Sequence, residues 1–73
     1  MSCLNMREQI IDALKSTSEG AIQKARMNVE VYLHNPVGIG EHPDVLASIQ
    51  DQLDVIAEHE ERLAVLEKHF TNH

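Results

Sequence analysis

A length of 73 residues and a mass of 8.2 kDa allow one small domain, and a chain this short buries only about 60% of its unfolded surface. Hydrophobic residues make up 42% but aromatics only 3%, Tyr32 and Phe70, so any core has to be built from Leu, Ile, Val, Ala and Met. Twelve acids against six bases give a net charge of −6, which disfavours nucleic acid or an anionic membrane as partner.

A lone cysteine, Cys3, offers no internal disulfide to compensate for the small core. The apolar runs are only a few residues long, too short for a membrane span, and no basic-then-apolar leader pattern opens the chain. The expectation is a soluble, cytoplasmic chain that needs no cofactor.

Residues of about 4–34 repeat their apolar side chains with helical spacing. With Leu14 as reference, Cys3, Met6, Ile10, Ala21, Ala25 and Tyr32 fall on one stripe, which Ile11, Ile22, Val29 and Leu33 widen. Strand-like alternation fails at Ile10-Ile11 and again at Ala13-Leu14. The stripe thins at Ser16-Thr17-Ser18-Glu19-Gly20, where Ser16 and Glu19 have capping-box spacing that would suit a new helix start. The phase of Leu14 nevertheless carries through to Ala21 and Ala25, which predicts one helix with a thin waist.

Both prolines and two of the three glycines fall in 35–43, Asn-Pro-Val-Gly-Ile-Gly-Glu-His-Pro, the only strong punctuation in the chain. The second helix is expected over about 44–70, with Leu46, Ile49, Leu53, Ile56, Leu63 and Phe70 on its stripe. Pro43 and Asp44 suit its start, Glu58 and Arg62 form an i,i+4 pair, and Lys68 and His69 complement the dipole in its last turn.

The predicted fold is therefore all-α, a single antiparallel helical hairpin over 1–73. Partner numbers should total about 78, setting Tyr32 by Leu46, Val29 by Ile49, Ala25 by Leu53 and Ala21 near Ala57. Ile11, Ile22, Val45 and Leu66 are expected towards the margins of that seam. Two helices have no third layer to cover their flanks, so the hairpin is expected to self-associate, most simply as a two-fold dimer forming a four-helix bundle. The association would be carried by Ile10, Leu14, Ala21, Ala25 and Tyr32 of the first helix and Leu46, Ile49, Leu53, Ile56, Leu63 and Phe70 of the second. Glu60 and Glu67 fall inside the apolar stripe, so with Ser18 they are expected as buried polar groups. The first reading is partial exposure of both near the open end, with Ser18–Glu60 and Arg7–Glu67 contacts fixing the register, and the second is a polar site inside the bundle.

Candidate chemistry is sparse. His69 and His73 have i,i+4 spacing but no third ligand on the same face, and Glu-x-x-His spacing does not occur in the chain. His59, among Glu58, Glu60 and Glu61, reads as part of a solvated face. Gly38-x-Gly40 lacks the third glycine and the Lys-Ser/Thr pair of a phosphate loop. Turn chemistry explains 35–43, although a binding role for Asn35, Gly38, Gly40, Glu41 and His42 is the alternative there. No nucleophile–base arrangement emerges, and the expectation is a chain that is not an enzyme.

The run from Val29 to Asp44, Val-Glu-Val-Tyr-Leu-His-Asn-Pro-Val-Gly-Ile-Gly-Glu-His-Pro-Asp, resembles short uncharacterised proteins encoded by tailed phages of marine cyanobacteria and by related marine metagenomic sequences. The likeness extends from Met6 to Phe70. It implies a setting, an infected bacterial cytoplasm or a virion, but no activity and no site residue. The reading that follows is a small, non-enzymatic interaction or assembly module that binds a second copy of itself. An acidic regulator that binds a host or phage protein is the alternative, and a metal-dependent catalyst at Glu60 and Glu67 is a third.

Overall fold

The computed structural model describes residues 5–34 and 45–71. The loop residues singled out above (Asn35, Gly38, Gly40, Glu41 and His42), with Cys3 and His73, lie outside the described residues.

Two helices account for almost all that is described: α1, Asn5–His34, and α2, Val45–Phe70. These bounds match the spans that apolar spacing and the Pro/Gly cluster predict. α1 runs unbroken through Ser16–Gly20, so the capping-box spacing there starts no new helix. Gly20 is tolerated at mid-helix because it lies on the exposed side, with open space where a Cβ would be. α2 ends with Lys68 and His69 in its last turn, and Thr71 Oγ1 donates to the Glu67 carbonyl at 3.0 Å, satisfying one terminal acceptor. The expected Glu58–Arg62 pair is formed on the exposed face of α2.

The helices pack side by side as an antiparallel hairpin. Cross-helix hydrogen bonds join Arg7 to Phe70, Ser18 to His59 and Asn28 to Gln52, so partner numbers total within two of the expected 78. The helical phase differs from the expectation, however. The central row of covered positions on α1 is Ile11, Lys15, Ser18, Ile22, Ala25, Val29 and Tyr32, and that on α2 is Val45, Ile49, Gln52, Ile56, His59, Leu63 and Leu66. Both rows step by four and three alternately, the spacing of a coiled-coil seam. Ile11, Ile22, Val45 and Leu66, expected at the margins, are thus seam residues. Leu46 and Leu53, expected opposite Tyr32 and Ala25, are 72% and 50% exposed.

The reason is geometric. Two helices in contact cover only a narrow strip of each other, whereas the apolar stripes here are wider than that strip. The strip takes in Ile11, Ile22, Ile49, Ile56, Leu63 and Leu66 beside Ser18 and Ala25, and leaves Ile10, Leu14, Leu46 and Leu53 on its flanks. Among the described residues only Ala25 and Ser18 are buried, at 1% and 4% exposure, and α2 contributes no buried residue.

Candidate interaction surface

Three polar contacts punctuate the seam. His59 Nδ1 lies 3.0 Å from Ser18 Oγ, either group donating according to the imidazole tautomer. Asn28 Nδ2 donates to Gln52 Oε1 at 3.1 Å. At the open end, Arg7 Nη2 donates to the Phe70 carbonyl at 2.8 Å, placing a cation at the C-terminus of α2, where the helix dipole favours it. These are the contacts that fix the register, and two differ from expectation. Ser18 is buried as foreseen, but its partner is His59 rather than Glu60, and Arg7 meets a backbone carbonyl rather than Glu67.

Glu60 and Glu67 are both exposed, which corrects their placement as buried polar groups. Seven residues apart, they continue the flank that begins with Leu46 and Leu53, one helical step outside the seam. In water their charges need no partner. His59 takes the covered position assigned to its neighbour. The signal that could have found it, together with Gln52, is the four-three alternation of covered positions, which tolerates polar members. A search for hydrophobic residues alone passes over them.

The flanks of the seam make two unlike faces. On one, heptad steps carry Arg7, Leu14, Ala21 and Asn28 along α1 and Ser48, Val55, Arg62 and His69 along α2. No carboxylate stands in either row. On the other, Asp12, Glu19, Arg26 and Leu33 stand beside Leu46, Leu53, Glu60 and Glu67, all exposed. Four acids against one base make this the acidic face.

A groove opens on the first face near the free ends of the helices. Leu14, Thr17, Ser18, Arg62, Leu63, Leu66 and Phe70 border a space of about 230 Å³. It continues into a second depression bordered by Arg7, Ile10, Ile11, Leu14, Leu66 and Phe70. Ile10, Leu14 and Phe70 remain about half exposed along it. At the same end, the opposite side has a depression lined by Lys15, Glu19 and Glu67 around Leu63, Ala64 and Leu66.

Of the residues expected to carry association, the structure therefore brings Ile10, Leu14, Leu63 and Phe70 together around one groove. Ala21, Ala25, Tyr32, Ile49 and Ile56 lie in or beside the intramolecular seam, and Leu46 and Leu53 stand on the acidic face.

Among the described residues no group of three or more His, Cys, Asp or Glu side chains is placed to hold a metal ion, and no helix is long and apolar enough to cross a membrane. Comparison of the chain with protein families, curated proteins and solved structures finds no match.

Proposed function

We propose that this chain is a non-enzymatic helical assembly module whose working form is a pair of hairpins packed as a four-helix bundle. The observation that carries this reading is the surface left open. Among the described residues Ile10, Leu14, Leu46, Leu53 and Phe70 are each about half exposed or more, an apolar surface with nothing packed on it. Burying it against another copy supplies the layer that a two-helix chain lacks. The absence of any fully buried large side chain among the described residues supports the same reading, since the hairpin alone has little core to hold it. The likeness of residues 29–44 to cyanophage sequences supports an infected bacterial cell, or the virion, as its setting.

Sedimentation and a concentration series of thermal melts test the proposal together. A dimer has twice the mass of the chain, and its melting temperature rises with concentration, because dissociation is coupled to unfolding. A monomer at high micromolar concentration, with a melting temperature independent of dilution, would reject it.

A further inference from the structure

The hairpin has two broad faces, and a two-fold pair of hairpins can bury only one of them. We infer that the second copy docks on the face that carries the Leu14–Phe70 groove. This rests on the self-association proposed above and specifies its surface. Two observations choose the face.

The first is charge. Pairing two acidic faces about a two-fold axis that runs along the helices would set Asp12, Glu19, Glu60 and Glu67 of one copy against the same four of the other, in a chain that already carries −6. Like charges facing each other oppose association. The residues bordering the groove and its continuation include no carboxylate. Their two cations are both engaged, Arg62 with Glu58 and Arg7 with the Phe70 carbonyl. Long arginine stems can also lie at the rim of an apolar contact with their heads in water.

The second is shape. Ile10, Leu14 and Phe70 stand half exposed around a continuous depression floored by Leu63 and Leu66. An aromatic anchor beside aliphatic ones is the composition that dominates binding energy in protein interfaces. With the two-fold axis along the helices each groove lies against its counterpart, so the anchors of one copy meet the depression of the other, a self-complementary contact that closes at two copies.

The test uses the full chain in sedimentation equilibrium, with L14E and I10E on the groove face and L53E on the acidic face. The two groove variants should raise the dimer dissociation constant at least about tenfold, and L53E should leave it within about threefold. Because a substitution can unfold the hairpin, the unaltered chain supplies a second readout. On dilution through dissociation, the amide resonances of Ile10, Leu14, Leu66 and Phe70 should move, and those of Leu33, Leu46 and Leu53 should stay. If the parent is a dimer but L53E weakens it as much as the groove variants, or the Leu33–Leu46–Leu53 resonances are the ones that move, the face assignment is overturned and self-association stands. A parent chain that never dimerises overturns both.

Discussion

The contact between Ser18 and His59 offers the most direct check on the register of the hairpin. Ser18 is 4% exposed and His59 half-buried, with Oγ and Nδ1 3.0 Å apart. S18A removes a hydrogen bond worth about 1 kcal/mol and gains about 0.5 kcal/mol of helix propensity, for a net loss of about 0.5 kcal/mol. H59A is more damaging, because it leaves a buried hydroxyl without its cross-helix partner and removes a ring from the seam. A loss of about 2 kcal/mol is expected, moderated if the hydroxyl turns to the Leu14 carbonyl one turn back. Combining the two should cost about 1 kcal/mol less than the sum of the singles, since the bond can be lost only once.

Urea titrations followed by circular dichroism at 222 nm measure this cycle, with all four chains at one concentration so that association contributes equally. With a slope near 1 kcal/mol per molar urea, the coupling corresponds to a midpoint displacement of about 1 M. Additivity to within about 0.3 kcal/mol would mean that Ser18 and His59 do not meet. The register would then be wrong, and with it the assignment of residues to the two faces.

Two further substitutions probe the ends of this reasoning. Gly20 lies at mid-helix with nothing within 4 Å of the position a methyl group would take, so G20A should stabilise the chain by about 0.5–1 kcal/mol, visible as a melting temperature several degrees higher. A lower melting temperature would show that the outward ridge of α1 is covered in solution. R7Q removes the cation at the C-terminus of α2 and should cost about 0.3–1 kcal/mol at low ionic strength, with most of the loss gone in 1 M salt; an equal loss at both salt concentrations would reject the dipole argument.

The helices and their antiparallel register were legible because they depend on local signals. Apolar spacing separates helix from strand, and Pro36, Gly38, Gly40 and Pro43 leave the chain nowhere else to reverse. Equal rise along two helices then sets the register to within a residue or two. The phase of the seam was not legible from hydrophobicity, because a stripe that includes Ile10, Leu14, Leu46 and Leu53 is wider than the strip one neighbour can cover. Weighting by hydrophobicity drew the seam towards those leucines. The packed structure sets it one position round each helix, with Ile11, Ser18, Ile22 and Ala25 facing Ile49, Ile56, His59 and Leu66. Glu60 and Glu67 were carried into the supposed interior by the same displacement, since they share the flank of Leu46 and Leu53.

That displacement bears on function. Had the largest aliphatics faced inward, the hairpin would hold a core and a polar exterior, and nothing about it would call for a partner. Instead the strip between the helices mixes Ile, Leu and Val with Ser18, Gln52 and His59, polar groups that fix alignment more than they contribute burial. Ile10, Leu14 and Phe70 stand outside it, each about half exposed. A seam that mixes aliphatic with polar residues, and aliphatics left over where a third and fourth helix would lie, are what half of a bundle would present. In the proposed bundle the inner contacts would set the register and the outer ones would supply the burial.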